Sequence, residues 1–280
     1  MTELDFRTLD LLISLAVQED LGFSDITTRA VVGPSLQARG EFVAKQDFTL
    51  AGWPVVERVF QTISTAIQVE SWKRDGDAIA KGTVFGTADG PAVYLLSSER
   101  VALNFLQRLS GIATLTRKFV EAVSGTGAVI LDTRKTTPGL RAIEKYAVRM
   151  GGGRNHRFGL SDGVLIKENH ITAAGGISEA IRRARSGVDH LKKIEIEVAT
   201  LEELGQSLDA GADAILLDNM SPSQVTEAVR QTGGRVPLEA SGGIHLGNVR
   251  EYALTGVNFI SVGALTHSFP SADISLELKL

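Results

Sequence analysis

Residues 194–218 read IEIEVATLEELGQSLDAGADAILLD: an apolar-edged run (Ile194–Val198) carrying Glu197, an amphipathic stretch, and a second run (Ala214–Leu217) reaching Asp218. The same alternation extends outward to Ala128–Leu131 and Val164–Ile166 on one side. On the other it extends to Val236–Leu238 and Phe259–Val262. Six short strands with helices between most of them predict a parallel sheet covered on its outer face by helices. An open doubly wound sheet satisfies the same count, so the polar residues decide. The strands lead in turn to Asp132, Arg134 and Lys135; to Lys167; to Glu197; to Asp218; to Glu239 and Ser241-Gly242-Gly243; and to Gly263-Ala264. A βα barrel opens all its strand C-termini onto one face, so these groups converge in one mouth. An open sheet strings them along a line. The barrel is the expected fold.

Working toward the N-terminus, the pattern changes. Leu9, Leu12, Ala16 and Val17 share a helix face. Gln37–Lys45 alternates like a half-buried strand, and Pro54 opens a short helix bearing Val55, Val56, Val59, Phe60 and Ile63. Ile67–Trp72, Thr83–Thr87 and Ala92–Leu95 read as strands parted by Asp75-Gly76-Asp77 and Asp89-Gly90 turns. Ser98 then caps a helix that Ser110-Gly111 interrupts, with a second helical stretch to about Val123. Strands without βαβ alternation describe an α+β sandwich-like domain over 1–110, followed by the barrel domain over 111–268. The tail 269–280 is expected to pack on the first domain.

The chain has 280 residues, 43% of them hydrophobic and 22% charged, with a net charge of −4 and no cysteine. That composition suits a globular enzyme and excludes disulfides, a thiol nucleophile and thiolate metal ligands. The first 20 residues carry acids where a signal peptide needs bases, and no run reaches the roughly 20 apolar residues of a membrane span. A cytoplasmic protein without membrane or nucleic-acid partners is the expectation.

Against this acidic background, residues 132–170 hold eight Lys or Arg and four acids, a local +4 around the triple glycine 151–153. Such a reversal predicts a cavity for a small, strongly anionic molecule. Arg134 and Arg157 can grip carboxylates bidentately, while Lys135 and Lys167 offer point charges for phosphates. His156 lies between Asn155 and Arg157 and is expected to face the ligand. The loops Ser241-Gly242-Gly243 and Gly263-Ala264 suit a phosphate cradled by backbone N–H groups. Glu197 and Asp218 suit Mg²⁺ held partly through water, or ribose hydroxyls. No pair among the five histidines has zinc-site spacing.

RKTTPGLRAIEKYAVRMGGGRNHRFGL (134–160) followed by SDGVLIKENHI (161–171) resembles the signature of the quinolinate phosphoribosyltransferase family, the decarboxylating nicotinate-nucleotide pyrophosphorylases. The resemblance continues through EDLGFSDITT, ERVALNFLQRLSGIATLT, IEIEVATLEEL, ILLDN, LEASGGI and SVGALTHS. It implies an N-terminal sandwich-like domain on an incomplete, seven-stranded α/β barrel, assembled as a homodimer whose N-terminal domains help close the partner's site. Larger assemblies stay open. The implied reaction joins phosphoribosyl pyrophosphate (PRPP) to quinolinate with Mg²⁺, giving nicotinate mononucleotide, pyrophosphate and CO₂ in NAD biosynthesis. By motif, Arg134, His156 and Arg157 would hold the quinolinate carboxylates, and Arg100 would reach in from the neighbouring subunit. Lys135, Lys167, Glu197 and Asp218 would be the catalytic set, the two acids meeting ribose and Mg²⁺. Ser241, Gly242, Gly243, Gly263 and Ala264 would bind the 5′-phosphate. Arg154 stands where this pattern leads one to expect a smaller or apolar residue.

Three other readings compete. A molybdenum-transport-associated relative of the same fold should depart from RKTTPGLR and KENH, which are intact here. A nicotinate or nicotinamide phosphoribosyltransferase would not need so dense a basic segment. A non-catalytic binder of phosphorylated metabolites would have no use for both acids and both lysines.

Overall fold

The computed structural model describes Leu4 and residues 6–280. In chain order its first part runs α1 (Phe6–Leu21), α2 (Ile26–Val31), β1 (Gln37–Ala44), β2 (Phe48–Thr49), α3 (Trp53–Ile63), β3 (Gln68–Ser71), β4 (Ala78–Ile79), β5 (Val84–Pro91) and α4 (Ala92–Ala122). Then follow β6 (Val129–Leu131), α5 (Arg141–Met150), β7 (Val164–Ile166), α6 (Glu168–Ala174), α7 (Ile177–Gly187), β8 (Ile194–Val198), α8 (Leu201–Asp209) and β9 (Ala214–Asp218). The last part is α9 (Pro222–Thr232), β10 (Leu238–Ser241), α10 (Val249–Leu254), β11 (Phe259–Ser261), α11 (Ala264–His267) and β12 (Ile274–Lys279). Two compact units result. One takes the chain up to Arg117 with Thr137–Gly152 and Ser268–Leu280; the other takes Lys118–Thr136 and Gly153–His267. No helix among the described residues is long and apolar enough to cross a membrane.

The first unit centres on an antiparallel sheet of order β12-β1-β5-β3. Pro54 starts α3 as its position predicts, and Asp75 accepts from the Gly52 and Trp53 N–H groups (2.7 and 3.1 Å) that the helix itself leaves unpaired. The helix buries Trp53, Val55, Val56, Val59 and Phe60, and Trp53 and Phe60 meet Phe42 of β1 edge-on, with ring centroids 5.0 and 6.3 Å apart. Two sequence readings change here. Asp89-Gly90 does not turn but stays in the ladder opposite Arg39 and Ala38, with Arg39 Nε 2.6 Å from Asp89 Oδ1. The strand expected at Ala92–Leu95 is instead the first turn of α4.

Ser110-Gly111 does not interrupt that helix either. Ser110 is buried, its Oγ accepting from Ala51 N–H at 3.1 Å. Gly111 is needed for proximity, since a Cβ there would lie 2.3 Å from the Pro270 carbonyl oxygen. The boundary expected at 110/111 therefore falls inside α4, and the unit continues to Arg117. Helix α5, cut from the middle of the basic segment, also belongs to this unit. Its fully buried Glu144 pairs with Arg108 (2.5 Å) and accepts from Thr137 N–H.

The second unit is a six-stranded parallel sheet of order β6-β11-β10-β9-β8-β7 with helices between its strands. Helices α8 and α9 start at capping boxes, Thr200 with Glu203 and Ser221 with Gln224, which fixes where each preceding strand must release the chain. The seventh strand is reduced to one parallel bridge, Leu131 with Arg154, in which Arg154 N–H donates to Ile130 O and Asp132 N–H to Arg154 O (2.9 and 3.2 Å). Among the described residues no ladder joins this segment to β7, so the ring of strands stays open there. Arg154 thus serves the fold through its main chain.

Candidate active site

Period-two alternation buries Ile194, Ile196 and Val198 on the helix-covered face of β8 and leaves Glu195 and Glu197 on the other. The same rule aims Leu216 and Asp218 from β9, and Glu239 and Ser241 from β10, toward a cavity of about 720 Å³. That volume lies within the roughly 300–1,000 Å³ usual for small-molecule sites. Every residue lining it comes from the second unit. The lining includes Arg134, Lys135, His156, Arg157 and Lys167 with Glu197 and Asp218, and also Ser241, Gly242, Gly243, Gly263 and Ala264. Arg100 is not among them; it is exposed on α4. Nor does the basic segment act as one piece. Arg141, Lys145 and Arg149 lie on α5, where Lys145 is buried and Arg149 sits over the Tyr146 ring.

The cavity is electrostatically poised. Burial first, and then neighbouring Arg134, pull the Arg157 guanidinium below the usual arginine value, with Glu195 and Asp162 opposing. Two adjacent guanidiniums in a partly dry wall favour an anion with two negative groups. Lys167 ion-pairs with Glu197 at the cavity wall. Lys167 is also the N-cap of α6, and His170 Nδ1 accepts its N–H (3.0 Å), so this histidine shapes the turn. Asp218 Oδ2 accepts from Asn219 Nδ2 at 2.8 Å.

The glycine loops have stereochemical reasons. Gly242 and Gly243 have φ of +95° and +63°, and a Cβ on Gly242 would lie 2.2 Å from Asn219 Oδ1. Asn248 ties the loop down, donating to Gly243 O and accepting from His245 N–H (3.0 and 2.8 Å). A Cβ on Gly263 would press on Lys135 Cδ at 3.0 Å, and Thr266 Oγ donates to Lys135 O. The helix after Gly263 is a single turn, so this cradle is made by loop amides and not by a long helix N-terminus.

His156 reaches the cavity, yet its ring nitrogens have protein partners. Nδ1 accepts from Arg157 N–H (2.7 Å), which places the ring proton on Nε2, 3.0 Å from Glu195 Oε2 and 3.7 Å from Glu239 Oε2. Burial and then the Glu195 carboxylate push Glu239 up to about 7, while His156 and Ser261 draw it down. Glu195, Asn219 and His267 escaped the sequence reading. Glu195 was legible in principle, lying two residues before Glu197 on the same strand face. Asn219, with φ +54°, and His267, on a four-residue helix, had no periodic signal.

The quinolinate phosphoribosyl transferase C-terminal domain model matches residues 112–277, and the N-terminal domain model matches residues 25–110. A probable nicotinate-nucleotide pyrophosphorylase [carboxylating] of Bacillus subtilis is 47% identical over 262 residues, covering 94% of this chain and 90% of the relative. The chloroplastic nicotinate-nucleotide pyrophosphorylase [carboxylating] of Arabidopsis thaliana is 42% identical, covering 96% of this chain and 82% of the relative. The crystal structure of NadC from Streptococcus pyogenes superposes with a TM-score of 0.96 at 40% identity, over 100% of this chain and 99% of that one. Two family models that together span most of the chain, and relatives alike over nearly their full length, agree with the architecture and cavity: this chain belongs to the quinolinate phosphoribosyl transferase family.

Proposed function

We propose that the protein transfers phosphoribosyl from PRPP to quinolinate with decarboxylation, giving nicotinate mononucleotide, pyrophosphate and CO₂. The observation that carries this reading is one cavity holding the Arg134–Arg157 pair, two lysines, two acids and two glycine loops. The arginines suit the two carboxylates of a pyridine dicarboxylate. The loops Ser241–Gly243 and Gly263-Ala264 suit the 5′-phosphate, and Glu197 and Asp218 the ribose hydroxyls. Lys167 turns from Glu197 to the pyrophosphate as it departs, and Lys135 flanks it.

Attack of the pyridine nitrogen on the anomeric carbon breaks the C–O bond to pyrophosphate, and the protein's part is to hold the two anions in line. The lysines offset charge on the leaving group. The ring nitrogen, now cationic, stabilises the electron pair that stays at C2 as CO₂ departs, and that pair then takes a proton. No covalent nucleophile is required. Glu197 and Asp218, two hard oxygen donors beside anion-binding amides, fit a Mg²⁺ held partly through water, which would supply further charge neutralisation at the pyrophosphate.

We place the working unit as a homodimer in which the exposed Arg100 of one subunit serves the site of the other. The decisive assay is CO₂ release from carboxyl-labelled quinolinate with PRPP and Mg²⁺, omitting each in turn and substituting nicotinate. Release that needs all three and no product from nicotinate support the reading; a folded protein that binds PRPP but releases no CO₂ refutes it.

A further inference from the structure

Arg157 sits on the one stretch of the second unit's ring of strands that no ladder supports. After the single bridge at Arg154, residues 155–157 run as irregular backbone toward the open side of the ring. Irregular backbone inside a protein still needs its polar groups satisfied. Here, side chains supply the partners. Asp132, fully buried, accepts from His156 N–H at 2.9 Å and from Asn155 Nδ2 at 2.5 Å. His156 Nδ1 accepts from Arg157 N–H, and His156 Nε2 is held by Glu195 with Glu239 behind it. The three ligand-type atoms of His156, Glu195 and Glu239 lie within 4.8 Å of one another.

We propose that Glu195 and Glu239 are positioning residues: through the His156 ring they fix the main chain of Arg157, and so aim its guanidinium at the substrate carboxylate. This rests on the dicarboxylate reading above and extends it to residues two positions deeper than Glu197 and Ser241 on the same strand faces. His156, Arg157 and Glu239 border both the mouth cavity and a second cavity of about 230 Å³ beneath it, lined otherwise by Leu131, Val164, Ala214 and Phe259 among others. The cluster is therefore a wall with space on both sides, braced by the bonds above and by Arg157 Nη1, which donates to Gly163 O at 2.8 Å.

Charge limits how such a wall can work beside a dianion. Glu239 faces Glu195 from β8, Asp132 from the end of β6, His156 from the irregular segment and Ser261 from β11, while β9 presents Leu216. A neutral Glu239 leaves Glu195 as the carboxylate partner of His156. An ionised Glu239 adds a second negative charge next to the ligand, so dicarboxylate affinity should fall as pH rises past about 7.

The test uses the full-length protein with Glu195→Gln and Glu239→Gln, checked for fold by circular dichroism and thermal melting. Quinolinate and PRPP dissociation constants, with KM and kcat, are measured from pH 6 to 9. Glu195→Gln should weaken quinolinate by about tenfold or more, leaving PRPP within about twofold. Glu239→Gln should lose the alkaline fall in quinolinate affinity while leaving PRPP affinity within about twofold of the parent's at each pH. Equal losses for both ligands, a Glu195→Gln protein matching its parent, or a pH profile unchanged in Glu239→Gln would overturn the positioning role while the parent's turnover still supports the reaction. A parent that binds PRPP but neither binds nor consumes quinolinate would sink the reaction reading and this role together. Stoichiometric binding of Zn²⁺ alone, abolished in Glu239→Gln, would show the cluster to be a metal site instead.

Discussion

Arg134 and Arg157 crowd like charges into one wall, so each raises the value of an anion to the other. Replacing either by Ala should weaken quinolinate binding by roughly 1.5–3 kcal/mol, the usual contribution of a hydrogen bond to a charged group. PRPP affinity should change far less. Calorimetric titration with each ligand measures the split, and equal losses would mean the two pockets are wrongly assigned. Gly242→Ala meets two obstacles, a left-handed φ and Asn219 Oδ1. The conformation alone costs about 1–2 kcal/mol. We expect PRPP affinity to drop and the melting temperature to fall by roughly 2–8 °C, while quinolinate binding moves little. Glu239 bears on stability as well. Its folded value is raised, so the native state holds the proton more tightly than the unfolded chain does. Stability is therefore full below the unfolded carboxyl value near 4.5 and falls as pH rises toward about 7. Glu239→Gln should flatten that fall, by roughly 1–3 kcal/mol in urea titrations at pH 5 and pH 8.

At the scale of elements, the sheet edge and the long helix carry the clearest consequences. β12 covers one side of β1, pairing from Arg39–Lys279 to Ala44–Ile274. Removing residues 269–280 would bare that edge, and aggregation at micromolar concentration, seen by light scattering, is the expected result. Gly111→Ala would drive a methyl against the Pro270 carbonyl and cost roughly 1–3 kcal/mol, as overpacking does.

These elements also show what the sequence could and could not disclose. Glu197 and Asp218 were legible because each is tied to an apolar run that can only be a strand. Pro54 and the strand alternation at Gln37–Lys45 were equally local. Ala92–Leu95 was not, because four apolar residues after Gly-Pro fit a strand or a helix turn, and no N-cap marks where α4 begins. The seventh strand left no apolar run because it is one bridge at an arginine. The basic segment looked continuous because charge is counted along the chain, whereas α5 carries three of its cations into the other unit.

For the whole molecule, the cavity's lining by the second unit omits Arg100, and the proposed dimer makes a prediction for it. Inactive Arg100→Ala subunits mixed with inactive Lys167→Ala subunits should regain activity, toward a quarter of the parent's on random pairing of sites. No recovery in verified heterodimers would remove the shared-site proposal. The family, the parallel sheet and the cation-rich mouth could all be read from the sequence. Of the division into units, the return of Thr137–Gly152 was not legible, since α5 is hidden inside the basic segment, whereas residues 269–280 were expected to come back to the first unit.

That return has a consequence in time. Lys45 and Glu277, 232 positions apart, are bonded at the margin where β1 meets β12. During synthesis at ~5–20 residues per second, β1 waits roughly ten to fifty seconds for the strand that shields it. The segment between Lys118 and His267, apart from α5, emerges complete in the interval and contains all its own strand partners. The later-made unit is thus free to fold first, and the earlier-made one finishes last, once β12 has been made.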